Sequence, residues 1–292
     1  MPSHLVRVKS RLFVRSRRRV LDALDGEYAS RARGRGFDFD DLREYHPGDN
    51  VRDIDWKSTA RRGEALVRRY LTTRQRTVLL VVDTAATMGA LTEEGAAKAD
   101  VAVHAAGVIG WLAIRHGDRV GLLHGDASAI NRRPPRGGER YLDGLLGTAH
   151  DAITTAVAGP DVAHLLDEAR RRLSRDTIVV VVTDDVTLDD RLETAVRHLA
   201  RSCDTLWVGV ADANPVRVLL AGPVADATHR RRLPRHLGRH TIAAEYDAHV
   251  VRERARLTSL LDDAHVSHCR VASEDDVVTE ILGMLARRPY GR

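Results

Sequence analysis

The stretch TIVVVVTDD, residues 177–185, decides the fold. It is apolar at every position from 178 to 182 and ends in a threonine and two carboxylates. A strand of this kind is typical of a parallel sheet whose two faces are both covered by helices. The stretch TVLLVVD, residues 77–83, has the same character and also ends in a carboxylate. We therefore predict that both are buried strands of one parallel sheet.

Strand and helix patterns alternate along the rest of the chain from residue 77. Further strands are predicted over 119–126, 204–212 and 266–272. Helices are predicted over 93–116, 141–153, 161–174, 188–200, 247–266 and 273–288. The segment RRPPRGGER, residues 132–140, is predicted to be a loop. This alternation predicts an α/β fold, with a doubly wound, mostly parallel sheet and helices on both faces.

Charge and composition divide the chain into two parts. Residues 1–76 carry a net charge of about +8, and the remainder, 77–292, carries about −3. We predict that 1–76 is an N-terminal extension of loops and short strands, with a short helix over 17–30 and an edge strand over 65–71. Its basic character indicates a solvated arm or an interaction face. Binding to nucleic acid or to an acidic membrane is less favoured, because few aromatic residues are present to stack on bases.

The segment 213–245 interrupts the α/β rhythm and is predicted to be an irregular insertion. It holds three prolines and the basic cluster HRRRLPRHLGRH, residues 229–240. Cys203 and Cys269 are far apart and have no metal-binding spacing, so we expect reduced thiols. The first residues have no apolar signal-peptide region, and the longest apolar run is too short to cross a bilayer. These features predict a soluble, cytoplasmic protein.

Sequence motifs of common enzymes are missing from the chain. It contains no GxxxxGK[ST] phosphate loop, no GxGxxG at a strand–helix junction, no HExxH and no GxSxG. We therefore expect a protein without enzymatic activity. Asp83 and Asp184 nevertheless follow the two most apolar strands. Since ligands of open parallel sheets bind at the carboxyl ends of the strands, we expect these two carboxylates to share a crevice.

The residues after the first strand resemble a known metal-binding loop. DTAAT, residues 83–87, resembles the DxSxS loop of von Willebrand factor A domains, and the later TDD resembles their Thr-Asp loop. The resemblance implies a site for Mg²⁺ or another divalent cation at Asp83, Thr87 and Asp184. The match is incomplete, because Ala85 replaces the first hydroxyl and the segment 132–140 contains no threonine. The alternative is that the two aspartates bind loop amides or cap helices.

A second and denser resemblance lies in residues 34–70. This segment resembles the signature of the DUF58 family of bacterial proteins, in which it precedes a von Willebrand A-like domain. Asp38 stands where the family usually has Glu. The matching residues are Gly34, Gly36, Phe39, Leu42, Arg43, Tyr45, Gly48, Asp49, Arg52, Ile54, Asp55, Trp56, Ala60 and Arg61. The resemblance implies a von Willebrand A-like domain over 77–292.

The signature is interpreted as a structural or docking element rather than a catalytic cluster. In VRDIDW, residues 51–56, period two places Ile54 and Trp56 on one face, and Trp56 is predicted to anchor the segment to the sheet domain. Neighbouring arginines favour ionised carboxylates, which argues against a catalytic acid. The residues assigned to this interaction or structural role are Arg43, Tyr45, Asp49, Arg52, Asp55, Trp56 and Arg61.

Resemblance to this family also implies a partner. DUF58 proteins resemble the companions of MoxR-type AAA+ ATPases, which are thought to act together in the assembly or maturation of other proteins. We therefore expect a protein-interaction adaptor that works with such an ATPase. The alternatives are a binding module that depends on a divalent metal and a protein that binds nucleic acid through its basic segments.

Overall fold

Six strands form the central sheet of the protein. The structure, a computed structural model, describes residues 3–15, 35–45, 54–73, 75–174 and 176–287. The central strands are β3 (Thr77–Asp83), β4 (Arg119–Gly125), β5 (Ile130–Arg136), β6 (Thr177–Asp184), β7 (Asp204–Val210) and β8 (Ser267–Val271). Two earlier strands, β1 (Arg35–Glu44) and β2 (Leu66–Thr73), lie outside this sheet. The central sheet has the order β5-β4-β3-β6-β7-β8, and all its strands are parallel except β5 at one edge. The mostly parallel sheet predicted from the sequence is confirmed.

Helices cover both faces of this sheet. The helices of the described chain are α1 (His4–Arg15), α2 (Trp56–Arg62), α3 (Lys98–Arg115), α4 (Glu139–Thr155), α5 (Val162–Arg171), α6 (Asp190–Ser202), α7 (Pro215–Ala221), α8 (His240–Asp263) and α9 (Val277–Ala286). One apolar core lies between the sheet and α1, α3, α4 and α9, and the other lies between the sheet and α5, α6 and α8. Alternate residues of each strand enter the two cores: Val78, Leu80 and Val82 face the first, and Leu79 and Val81 face the second. The doubly wound architecture is therefore also confirmed.

Topology places the carboxyl ends of β3 and β6 at the point where the sheet changes direction. The chain runs from β3 outward to β4 and β5, and then returns to form β6 on the other side of β3. The ends of β3 and β6 therefore lie at the switch point of the sheet, the place where open α/β sheets bind ligands. Asp83 and Asp184 are the last residues of these two strands.

Two predicted irregular segments contain regular structure. Residues 130–136 form β5 rather than a loop, and Pro134 and Pro135 are tolerated because an edge strand has one side without a hydrogen-bonded neighbour. The insertion predicted over 213–245 contains α7, whose first turn is capped by the Asn214 side chain with proline at the first helical position. It also contains a short 3₁₀ helix at Arg235–Leu237 and the first turn of α8.

At the N-terminus, α1 packs into the core instead of forming a solvated arm. Leu5, Val8 and Leu12 are all buried in the core shared with α3 and α4. The fit is close, because a Cβ atom added to Gly107 of α3 would lie 2.6 Å from the Val8 side chain. The interpretation of the first residues as a solvated arm is therefore wrong for this helix. Its basic side chains are used locally, as in the contact of Arg7 with Asp100 at 3.2 Å.

A separate two-stranded sheet is formed by β1 and β2, which pair antiparallel. This agrees with the short strands predicted near residue 35 and over 65–71. The helix predicted over 17–30 lies outside the described residues. The division of the chain at residue 77 stays a prediction. In the ranges given above, no helix combines the length and the apolar character needed to cross a bilayer.

Truncation of Leu12 tests whether α1 belongs to the folded domain. We expect Leu12→Ala to lower the free energy of unfolding by about 2–5 kcal/mol, because it removes a fully buried side chain from a packed core. Val6→Ala on the same helix is the control: Val6 is 59% exposed, so the expected change is within about 0.5 kcal/mol. Urea unfolding of the three proteins measures the difference. Equal effects of the two substitutions would show that α1 is not docked.

Candidate functional site

Asp83 and Asp184 meet at the sheet's carboxyl edge, as the sequence predicts. Both are buried, with 1% and 5% of their surface exposed. One oxygen of Asp83, Oδ1, accepts a hydrogen bond from the Ala85 backbone N–H at 2.9 Å. The other, Oδ2, accepts one from the Thr183 hydroxyl at 3.0 Å. The Asp83 carboxylate therefore joins the end of β3 to the end of β6 and orders the loop that follows β3.

The centre of this edge is Lys98, which the sequence analysis did not single out. Lys98 is the first residue of α3, and its side chain is fully buried. Its Nζ lies 3.0 Å from Asp184 Oδ2 and also forms an ion pair with Asp212, which lies just beyond the end of β7. A lysine at the N-terminus of a helix is electrostatically unfavourable. A lysine at this position and a carboxylate, Asp212, after a third strand are the two features of the sequence from which this site could have been predicted.

Burial and charge determine the protonation of the cluster. Burial and the nearby Asp184 carboxylate raise the pKa of Asp83 to about 7, although the hydrogen bonds from Ala85 and Thr183 oppose this. Burial likewise raises the pKa of Asp212 to about 6, against the effect of Lys98. Burial alone lowers the pKa of Lys98, but Asp184 and Asp212 outweigh it and the pKa is raised. The lysine is therefore an ammonium at neutral pH, and Asp83 holds a proton part of the time.

This arrangement does not fit a divalent cation at Asp83, Thr87 and Asp184. Both oxygens of Asp83 are already hydrogen-bonded, and Asp184 is bound to an ammonium that would repel a metal ion. The Thr87 hydroxyl oxygen is buried and, within the described chain, makes no hydrogen bond. Among the described residues, no three His, Cys, Asp or Glu side chains are grouped so as to hold a metal. Of the two carboxylates assigned to the metal site, Asp184 is paired with Lys98, and Asp83 binds the Ala85 amide and the Thr183 hydroxyl.

A cleft of about 670 Å³ opens beside the cluster. Its walls are the loop before α3, the residues that follow β6 and β7, and the middle of α8, residues 246–257. Asp212 connects the two sites, because it binds Lys98 and also lines the cleft. Three apolar side chains of the lining are exposed: Leu91, Val218 and Val251. The cleft therefore combines apolar surface with charged groups, as binding sites for other molecules do.

A second ion-pair network supports one wall of the cleft. Arg270 of β8 contacts Glu93 at 2.6 Å and Asp185 at 2.8 Å, and so ties the loop before α3 to the end of β6. Arg254 of α8 lies 3.7 Å from Asp185. Burial opposes ionisation of Asp185, but its hydrogen bonds with Arg270 outweigh burial and lower its pKa. Asp185 is therefore an ionised, structural carboxylate.

The signature motif has a different local structure from the one predicted. Asp55 caps α2, because its Oδ1 accepts hydrogen bonds from the backbone N–H groups of Lys57 at 3.1 Å and Ser58 at 3.0 Å. Trp56 begins this helix and is 64% exposed. The prediction that Trp56 continues a strand and anchors the segment to the sheet domain is therefore wrong. The helix cap decides the local geometry, since it satisfies amides that would otherwise lack partners.

The remaining motif residues are placed only in part. Tyr45 and Arg61 are exposed, and the Tyr45 backbone N–H donates to the Ala65 carbonyl at 2.8 Å. Arg43 lies in β1 opposite Val67. Asp49 and Arg52 lie outside the described residues. The role of this motif in interaction or structure stays a prediction.

Residues 229–240 form an exposed basic surface between α7 and α8. His229 contacts Asp226, and the short 3₁₀ helix lies within the segment. The exposed arginines are Arg230, Arg231, Arg232, Arg235 and Arg239. The nucleic-acid alternative is not tested by this geometry.

The pH dependence of stability tests the role of Asp185. Its folded-state pKa lies below the usual value of 3.8, so its stabilising effect is present above that pH and is lost as the pH falls through the folded-state pKa. We expect Asp185→Asn to lower the free energy of unfolding by about 1–3 kcal/mol at pH 7. The difference from wild type should shrink below pH 3.8.

Unfolding by urea between pH 7 and pH 2.5 measures this difference. The control is Asp151→Asn, because the Asp151 side chain is 85% exposed and a change there should have little effect at any pH. A deficit of Asp185→Asn that stays constant down to the lowest pH would contradict the assignment.

Comparisons with solved structures and with curated proteins place the chain among its relatives. An aerotolerance-related membrane protein of Bacteroides fragilis is 11% identical with a TM-score of 0.47, and the match covers 73% of this chain and 99% of that one. A von Willebrand factor type A protein of Catenulispora acidiphila is 14% identical with a TM-score of 0.39, with coverages of 74% and 43%. Likenesses of this size carry no information about activity.

Relatives in sequence match more than two thirds of the chain. Uncharacterized proteins of Mycobacterium bovis and Mycobacterium tuberculosis are each 32% identical over 206 residues, which is 69% of this chain. The match spans 63% of the length of those relatives. The sequence profile of a family described as "Protein of unknown function DUF58" matches residues 41–256. The chain belongs to the DUF58 family.

Proposed function

We propose that this protein is a non-enzymatic binding module that docks a partner protein in the cleft at the carboxyl edge of the sheet. We further propose that the partner is a MoxR-type AAA+ ATPase, as the family resemblance implies. The observation that carries the proposal is the cleft itself, which lies at the carboxyl edge of the sheet beyond the ends of β6 and β7 and exposes Leu91, Val218 and Val251. Exposed apolar side chains grouped at a concave surface mark sites of association.

Binding accounts for the chemistry of this edge better than catalysis does. A general acid or base must reach the reacting atom of a substrate. Asp83 has the raised pKa that catalytic carboxylates often show, but it is buried and both its oxygens accept hydrogen bonds from the protein. Asp184 and Asp185 are bound by Lys98 and Arg270 respectively. These carboxylates therefore hold the edge together and are not free to act on a substrate.

The lining of the cleft indicates what kind of partner segment fits it. Its charged lining consists of five carboxylates, two arginines and one histidine. Part of this acidic surface is accessible, because the Asp212 and Asp247 side chains are 31% and 39% exposed. A segment that combines apolar side chains with lysine or arginine would complement both the rim and the charge. We therefore propose that the partner inserts such a basic, partly apolar segment.

The two free cysteines and the family resemblance are consistent with a cytoplasmic AAA+ ATPase as the partner. Both cysteines, Cys203 and Cys269, are free thiols, in keeping with the cytoplasmic location that we propose. The relatives of the chain are uncharacterized, and it spans less than two thirds of their length. The identity of the partner is therefore proposed on the family resemblance alone.

Affinity capture with a cleft variant tests the proposal. Tagged wild type, Val251→Arg and Val6→Arg are expressed in the native host, and the captured proteins are identified by mass spectrometry. Val251 lies on α8 in the cleft, whereas Val6 is similarly exposed but lies on α1, on the opposite face of the sheet. We expect an AAA+ ATPase with wild type and with Val6→Arg, and at least about a tenfold loss with Val251→Arg, because a buried cation in an apolar contact is costly.

Calorimetry of the purified pair then gives the affinities of the three proteins. Capture of no AAA+ ATPase by wild type would refute the proposed partner. Equal affinity of wild type and Val251→Arg for the ATPase would refute the cleft as its docking site.

A further inference from the structure

We propose that the Lys98 ammonium is a built-in substitute for a divalent cation at the carboxyl edge of the sheet, so that this edge is assembled without metal. The inference deepens the proposed function, because it states how the binding edge is held in place. It stands on the geometry of the cluster and does not depend on the identity of the partner. Its test uses the purified protein alone.

Position is the first argument for this assignment. The ammonium lies between the carboxylates at the ends of two neighbouring strands, with Asp184 Oδ2 at 3.0 Å and Asp212 in direct contact. A divalent cation bound by carboxylates would occupy the same convergence point, since hard cations select oxygen ligands. The lysine is tethered to α3, whose other buried residues belong to the core. It therefore cannot dissociate or be removed by a chelator.

Charge balance is the second argument. Lys98 contacts two carboxylates, Asp184 and Asp212, and its ammonium offsets negative charge that would otherwise be buried at this edge without a partner.

The lack of oxygen ligands is the third argument. Ala85 stands at the position of the first hydroxyl in the loop that DTAAT resembles, and it is fully buried. Both Asp83 oxygens already accept hydrogen bonds from Ala85 and Thr183. The segment that should supply a threonine instead forms β5, which carries arginines. The carboxylates that remain as ligands, Asp184 and Asp212, are both paired with the tethered ammonium, and only removal of Lys98 would free them for a cation.

Removal of the Lys98 side chain tests the inference by turning the site into a metal site. Wild type, Lys98→Ala and the double variant Lys98→Ala/Asp184→Asn are titrated with Mn²⁺, and binding is followed by electron paramagnetic resonance. We expect wild type to bind no Mn²⁺ that depends on Asp184. We expect Lys98→Ala to gain a site with a dissociation constant of about 0.1–1 mM, the range of weak oxygen-ligand sites. The double variant should lose that site.

Two results would overturn the inference. The first is Mn²⁺ binding by wild type that the single variant Asp184→Asn abolishes. The second is a folded Lys98→Ala that gains no site. Loss of one partner of a buried ion pair is strongly destabilising. The free energy of unfolding of Lys98→Ala is therefore also measured, by urea titration with and without Mn²⁺. Stabilisation by Mn²⁺ in the variant but not in wild type would support the inference.

The wild-type protein decides the matter if Lys98→Ala does not fold under any condition. Its urea midpoint is measured in EDTA and in millimolar Mn²⁺, beside Asp184→Asn. An unchanged wild-type midpoint supports the inference, and a rise in Mn²⁺ that Asp184→Asn abolishes refutes it. Because no partner is present, this outcome is independent of the capture experiment: the lysine can replace a cation even if the proposed ATPase does not bind, and the reverse also holds.

Discussion

The buried ion pairs of Lys98 with Asp184 and Asp212 are the interaction on which the rest of the carboxyl edge depends. Removing a charged group from water costs several kcal/mol, and only close partners offset that cost. Here Asp184 ends β6 and Asp212 follows β7, whereas Lys98 begins α3, the helix that follows β3 in the chain. The pairing therefore requires β3, β6 and β7 to be neighbours in the correct register, and any other arrangement leaves a charge buried alone.

Charged and apolar side chains are separated at the carboxyl edge of the sheet. The charged groups next to Lys98 are paired with one another, while Leu91, Val218 and Val251 remain exposed at the rim of the cleft. A floor held rigid by ion pairs and an apolar rim favour association with another molecule, since few groups have to be ordered on binding.

The sequence predicted the layers of this fold well because their signals are local. Apolar runs such as 178–182 indicate a strand buried on both faces, and the alternation of strands with amphipathic helices indicates a doubly wound sheet. The failures have physical reasons as well. β5 was hidden because prolines usually oppose strands, and an edge position tolerates them. The burial of α1 was hidden because its basic residues suggested solvent, although Leu5, Val8 and Leu12 carry the packing.

The sequence by itself determined that carboxylates end the apolar strands and that Asp83 and Asp184 lie at one edge, because strand direction follows from the βα alternation. Only the tertiary structure decided what lies between those carboxylates. Lys98 and Asp184 are 86 positions apart in the chain, and Asp212 is farther still. Whether such charges meet depends on which strands become neighbours, and periodicity contains no information about that. The same reason explains why a motif that suggested a metal site is built around a lysine.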